Sequence, residues 1–376
     1  MSSLLYQKYR PQTFKEIVGN FKTVKELSFR AKEKTIPQTI LLSGSSGTGK
    51  TTLQRVISKS LTCENLSEDG DPCNQCKYCK DINTESFTIA CYEYNGAEMS
   101  KQQVMDIQDK AEALSLSGTC KIFFIDEFQG LFVNTDKALD TLLKIIEKPY
   151  KNVYFILGTM DLGTIQNHSK GKAVLNRCVL YKLQDLSIQE IGVHLNYICK
   201  KESIKVDSQK ANILMDIAEY SSGSLRTAIS LLERCIFSNI WTREEMISDL
   251  GIVSNEVVAD LLLKIFRKDY SVFNSSSFNK ELILSIRSYL LNVYKTKKGI
   301  ILSFNAVKIR DDFLQFDDKT IERSLEVFNQ MKSIYYIDYI TFESMVLKLM
   351  EEIQPSVNVE SSTVVQTKRR RLLENT

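Results

Sequence analysis

An apolar run, Ile40-Leu41-Leu42, leads into Gly44-Ser45-Ser46-Gly47-Thr48-Gly49-Lys50-Thr51-Thr52, and this junction constrains the chain more than any other stretch. The run reads as a buried strand, and the glycine-rich segment after it has the phosphate-binding P-loop spacing. Its glycines let backbone N–H groups turn inward around phosphates, Lys50 can reach the β and γ phosphates, and Thr51 can hold Mg²⁺. The bland alternative is a glycine-rich turn that merely joins a strand to a helix. The strand context weighs against it, so the sequence points to a nucleoside triphosphate site.

The pattern around this loop sets the architecture. Short apolar strands at Thr39 to Leu42, Phe87 to Tyr92, Lys121 to Ile125, Val153 to Leu157 and Val179 to Leu183 alternate with helical segments, the signature of an α/β fold with a mostly parallel sheet. From Ser187 the spacing becomes helical. Ser187-x-x-Glu190 is a capping box, and Val206 to Tyr220 and Ser224 to Phe237 read as further helices. Thr242-x-x-Glu245 opens a third region, with amphipathic stretches near Asn255 to Arg267, Lys280 to Lys295, Lys319 to Ser333 and Tyr339 to Ile353. The expected organisation is an α/β domain over 1–183 with a cysteine module at 63–80, a small helical domain over 184–241, an all-helical domain over 242–355 and a flexible basic tail over 356–376. A chain of 376 residues exceeds what one hydrophobic core usually supports.

Net charge is +3, and Lys368-Arg369-Arg370-Arg371 alone carries four positive charges, so the body is close to balanced. Nucleic-acid contact must then rest on a localised patch rather than on overall charge. The tail reads as a solvated segment with weak electrostatic binding, although a nuclear signal or a partner peptide has the same composition. No apolar run is long enough to span a bilayer, and the amino terminus lacks a secretory pattern. An intracellular, reducing location is expected, where nine cysteines are better read as metal ligands and buried thiols than as disulfides.

Lys121-Ile122-Phe123-Phe124-Ile125-Asp126-Glu127 is an apolar strand ending in two carboxylates, as a Walker B segment does. Strand alternation is expected to point them in different directions, Asp126 toward the Mg²⁺ shell and Glu127 toward the attacking water. Cys73-x2-Cys76-x2-Cys79, with Cys63 ten positions earlier, offers four soft ligands suited to a closed tetrahedral zinc site. The three-cysteine run also matches part of an iron–sulfur site, and Cys91 could replace Cys63 as the fourth ligand. His168 and His194, the two histidines, read as surface or packing residues. Taken alone, Arg177 and Arg226 read as ordinary salt-bridging arginines.

Taken in order, Lys8-Tyr9-Arg10-Pro11-Gln12-Thr13-Phe14, Ile17-Val18-Gly19, the P-loop, the cysteine module, Asp126-Glu127, Leu142-Leu143-Lys144, Asn176-Arg177-Cys178 and Gly223-Ser224-Leu225-Arg226 resemble the clamp-loader ATPases of the bacterial DNA polymerase III gamma/tau family. The likeness covers about residues 1–240. It implies an AAA+ domain, a helical lid and an oligomerising collar in a five-subunit spiral that uses ATP and Mg²⁺ to open a ring clamp and place it on primer–template DNA. Other loader subunits, the clamp, the DNA and a replicative polymerase would be its partners, in the cytoplasm of a bacterial or phage-infected cell. On the same resemblance Arg177 is a finger acting in trans and Arg226 is sensor 2. Tyr9, Arg10, Pro11, Val18 and Gly19 lie near the adenine, and Lys101 and Lys144 near DNA phosphates.

Three departures stand out. The usual Asp-Glu-Val-His is Asp126-Glu127-Phe128-Gln129 here, Ser-Arg-Cys is Asn176-Arg177-Cys178, and the sensor 1 strand ends Gly158-Thr159-Met160-Asp161 where relatives have Ala-Thr-Thr-Asp. If the second threonine is the phosphate sensor, the Met160 thioether offers no useful donor in its place, and slowed hydrolysis or altered control is expected; on the resemblance Thr159 counts among the nucleotide-binding residues. Asn167 to Ala173 reads as an insertion. These differences suit a divergent, phage-encoded version, and they keep a non-hydrolysing stator of the same assembly as a second reading. Another AAA+ DNA-remodelling ATPase is a third, and a zinc-dependent nucleic-acid module without ATPase activity is a fourth.

Overall fold

In the computed structural model the described residues are 4–83, 91–113, 120–134, 136–251, 255–274, 280–300, 310–333 and 339–353. They form two units, Met1–Asn239 and Ile240–Thr376.

The first unit is built on five parallel strands, β1 (Thr39–Ser43), β2 (Cys91–Asn95), β3 (Lys121–Asp126), β4 (Val153–Thr159) and β5 (Val179–Lys182), in the order β2-β3-β4-β1-β5. Alternation explains why helices cover both faces. Leu41, Phe123, Ile125, Phe155 and Leu157 point to one side, against Val104, Ile107, Leu139 and Leu142. Ile40, Leu42, Ile122, Phe124 and Ile156 point to the other, against Leu27, Leu53, Val56 and Ile57. Tyr92, Phe123 and Phe155 sit side by side on β2, β3 and β4 and stack at 5.2 and 5.4 Å between ring centroids. These cross-strand aromatic pairs help to set the register.

Strand β2 differs from expectation. Residues 84–90 lie outside the described residues, and the strand runs Cys91–Asn95 rather than ending at Tyr92. It is an edge strand in which Glu93 and Asn95 are exposed, so a search for apolar runs found a strand here but not its extent beyond Tyr92.

Three capped helices come after the sheet. Ser187 Oγ accepts from the Glu190 N–H at 3.2 Å while the Glu190 carboxylate accepts from the Ser187 N–H at 2.8 Å, starting helix Ile188–Lys201. Asp207 caps Ser208–Tyr220 and Ser224 caps Leu225–Ser238 through the Lys210 and Thr227 N–H groups. Their inner faces, including Ile191, Leu195, Ile213, Ile217, Ala228 and Leu232, are buried.

Among its described residues, every regular element of the second unit is a helix. Helices Arg243–Leu250, Asn255–Phe266, Lys280–Lys297, Asp318–Ser333 and Tyr339–Glu352 match the periodic stretches closely. Their core gathers Leu262, Phe266, Ile286, Phe313, Phe328 and Phe342, with the Phe266 and Phe316 rings edge to face at 4.7 Å. Residues 354–376, and with them the expected tail, lie outside the described residues. Among the described residues no helix is long and apolar enough to cross a membrane.

Candidate nucleotide pocket and cysteine cluster

The loop after β1 leads into helix Lys50–Thr62 with Gly49 at its N-cap, so the loop N–H groups gather at the carboxyl edge of the sheet, where open α/β folds bind ligands. Gly47 has φ +82°, and a Cβ there would come within 2.1 Å of Ser224 Oγ. Only glycine lets the loop pass this close to the start of helix Leu225–Ser238, whose first turn carries Arg226.

One pocket collects most of the residues singled out in the sequence. Ser46, Gly47, Thr48, Gly49, Lys50, Thr51 and Thr52 line it together with Asp126, Glu127 and Arg226, and Tyr9, Arg10, Pro11 and Val18 come from the amino-terminal arm. Tyr6, Ile17, Met160, Leu186, Leu225 and Ile229 complete the lining. Gly19, Gly44, Ser45 and Thr159 are not part of it. The Gly44 and Ser45 carbonyls instead accept from Lys50 Nζ, each at 2.8 Å, and Ser45 Oγ donates to Asp185. Burial pushes the Lys50 ammonium below its ordinary value, an effect that Asp126 and Glu127 oppose.

Strand alternation does not separate the two carboxylates. Strand β3 ends at Asp126, and Glu127 lies beyond it with φ +48°, a left-handed conformation that costs a non-glycine residue about 1–2 kcal/mol. Asp126 accepts from the Glu127 N–H at 2.9 Å. A residue that the sequence pattern did not single out joins the site here. Gln129 Nε2 donates to the Glu127 carboxylate, while its Oε1 accepts from Thr159 Oγ1 at 2.7 Å and from the Met160 N–H at 3.3 Å. Its one sequence signal is that it departs from the family's histidine two positions after Glu127.

Arg177 lies away from this pocket. It pairs with Glu147 at 2.9 Å and donates to the Ala173 carbonyl at 2.8 Å. Lys101, at the start of a helix capped by Ser100, and Lys144 are both exposed. His168 stands edge-on to Phe132, and His194 stacks near Tyr197.

Behind the P-loop helix, the sulfurs of Cys63, Cys73, Cys76 and Cys79 all lie within 4.8 Å of one another. A tetrahedral zinc with Zn–S near 2.3 Å has sulfur–sulfur edges of about 3.8 Å, so the four donors are already gathered at the scale of one ion. Cys91 is not among them; in β2 it accepts from Gln54 at 3.7 Å. The Gln75 and Cys76 N–H groups point at Cys73 Sγ and bring its thiol down to about 6, whereas burial pushes Cys63 and Cys79 up.

The parallel sheet with a P-loop after β1, between β4 and β5 in the strand order, the carboxylates at the end of β3 and the helical bundle closing over the loop define the AAA+ class of P-loop proteins. Residues 19–187 match the family described as DNA polymerase III, delta subunit, and residues 194–236 match the RCF1/5-like, AAA+ ATPase lid domain. The chain belongs to the DNA polymerase III gamma/tau family. It is 32% identical over 269 residues to the DNA polymerase III subunit gamma of Buchnera aphidicola subsp. Baizongia pistaciae, covering 71% of this chain and 69% of that one. The gamma subunit from the Acyrthosiphon pisum subspecies is 36% identical over 62% of this chain, and the tau subunit of Bacillus subtilis 28% over 85%. Of these two relatives the chain spans 61% and 57% of the length.

Proposed function

We propose that this chain is an ATP-hydrolysing subunit of a clamp loader, which binds ATP with Mg²⁺, opens a sliding clamp and loads it on primer–template DNA. The observation that carries this reading is the convergence of Lys50, Thr51, Asp126, Glu127 and Arg226 on one pocket in a chain of the gamma/tau family.

In this reading the loop N–H groups and Lys50 cradle the phosphates, while Thr51 and Asp126 hold Mg²⁺. Glu127 orients the attacking water, and Arg226 in the lid reaches the γ-phosphate. Arg177 would leave Glu147 to face a neighbouring subunit's ATP. Residues 1–183 would act as the motor, 184–241 as its lid, 242–355 as the oligomerising collar and 356–376 as a basic tail. Lys101 and Lys144 would meet DNA phosphates. The four cysteines would hold one structural zinc ion, since sulfurs this close leave room for a single ion rather than a multi-iron core. The other loader subunits, the clamp, the DNA and a replicative polymerase would be met in the cytoplasm.

The stator reading keeps one supporting observation. Met160, which offers no side-chain donor, lines the pocket, while the Thr159 hydroxyl is engaged by Gln129. ATP turnover by the purified chain in its assembly, with and without cognate clamp and primed DNA, decides between the two. Stimulated turnover that Lys50→Ala abolishes supports the motor. Nucleotide binding without turnover in any combination refutes it.

A further inference from the structure

Beyond Tyr6, the amino-terminal arm lines the nucleotide pocket at Tyr9 to Pro11 and again at Ile17 and Val18. Of the five residues between them, Phe14 sets its ring in the core on one face of the sheet, and its backbone and the polar side chains around it are tied to the cysteine module and the P-loop helix. The buried Asp71 carboxylate accepts from the Phe14 N–H at 2.7 Å, and Lys15 pairs with Asp69. Lys59, almost wholly buried on the P-loop helix, donates to Gln12 Oε1 on the arm and, at 2.9 Å, to Asn74 Oδ1 inside the module. Gln12 in turn donates to the Arg10 carbonyl at 2.8 Å, which carries the contact to the pocket wall. The loop that bears Asp69 and Asp71 lies hard against helix Phe21–Lys32. At Gly70 a Cβ would come within 2.3 Å of the Ser28 carbonyl, so the loop fits only without a side chain there.

We infer that the four-cysteine module anchors the arm that encloses the base of the bound nucleotide, with Asp71 and Lys59 as positioning residues, so that metal occupancy and adenine-nucleotide affinity are coupled. This rests on the proposed function as a nucleotide-binding subunit. The module is positioned to act on one part of the ligand alone. The P-loop is fixed by β1 and its own helix, whereas the arm's aromatic and apolar groups suit a planar base, and between the hold of Glu202 on Tyr9 and the burial of the Phe14 ring the polar ties of the arm's middle run to the module and to Lys59. Because Asp71 sits between Cys63 and Cys73, loss of the ion would free the loop that holds Phe14. Coupling between two binding equilibria is reciprocal, so adenine nucleotide must tighten metal retention by the factor by which metal tightens the nucleotide.

The test uses the full zinc-loaded chain and two probes, ATP and inorganic triphosphate. Asp71→Ala and Lys59→Met should each weaken ATP about tenfold, equivalent to ~1.4 kcal/mol, and leave triphosphate within twofold. In an equilibrium competition for zinc against a chromophoric chelator, saturating ATP should protect the wild-type metal, triphosphate should not, and the Asp71→Ala protein should lose the protection. Unchanged ATP affinity in both folded variants would overturn the inference, as would equal losses for ATP and triphosphate or protection by triphosphate alone. A wild-type chain that binds no ATP would overturn the functional reading and the inference with it. Tight ATP binding that ignores both substitutions overturns the inference alone.

Discussion

Gln129→Ala tests how the Glu127 carboxylate, the proposed water-orienting group, is held. The substitution removes one amide that joins Glu127 to the tip of β4. On the Glu127 side it deletes a hydrogen bond to a charged acceptor, worth about 1.5–3 kcal/mol when buried and near the lower figure at this half-exposed position. If that contact orients the carboxylate, its loss lowers turnover about tenfold, since each ~1.4 kcal/mol is a decade in rate. On the β4 side the fully buried Thr159 hydroxyl loses its acceptor but still accepts from the Asp161 N–H at 3.2 Å. The stability cost should therefore stay near ~1 kcal/mol, a fall in melting temperature of about 2–4 °C for a unit of this size. Steady-state turnover, ATP affinity and thermal melting of the same preparation separate these effects. The expected result is slower turnover, unchanged affinity and a small melting shift. Turnover at the wild-type rate would show that Gln129 does not position Glu127, and a parallel loss of affinity would assign it to the nucleotide cradle.

Arg177→Ala should fold and bind ATP yet lose stimulation by clamp and primed DNA by about 10³–10⁵, the usual worth of a finger supplied in trans; stimulated turnover that survives the change would rule that role out. Metal analysis should find one zinc per chain in a colourless protein, with Cys76→Ser lowering both zinc content and stability; iron, or visible absorption, would refute the site. His194 is half-buried, its Nε2 has no partner, and burial pushes it below its ordinary value of 6.5. The unfolded chain then takes up the proton first, so stability should fall as pH drops below 6.5 and level off beneath the folded value. His194→Leu should flatten that slope in pH-dependent melting, and an unchanged slope would count against the assignment.

The sequence displayed most of what depends on local periodicity. Ile40 to Leu42, Ile122 to Ile125 and Phe155 to Leu157 carry the apolar runs of buried parallel strands, and Ser100, Ser187 and Thr242 each start a helix through a side-chain cap three residues from its partner. What stayed hidden depends on which distant residues the fold brings together. Asp71 and Phe14 meet across 57 positions, and Gln129 and Thr159 across 30. Nothing in the composition of either pair announces the contact. Glu127 shows the same limit at short range, because its left-handed backbone is set by the turn after β3 and not by the strand pattern that precedes it.

The amino-terminal arm also bears on how far the lid can travel. At one end the Leu5 N–H donates to Glu233 at 2.8 Å, and the Tyr9 hydroxyl donates to Glu202, both on lid helices or their ends. At the other end Phe14 is fastened beside the P-loop helix. Between Tyr9 and Phe14 run five backbone steps, and at about 3.3–3.6 Å each they reach no more than ~18 Å. Proline at 11, with its fixed φ, shortens the accessible range further. The arm is thus a leash of set length: the lid can rock over the loop while both fastenings hold, and a swing beyond that reach must first tear one of them loose.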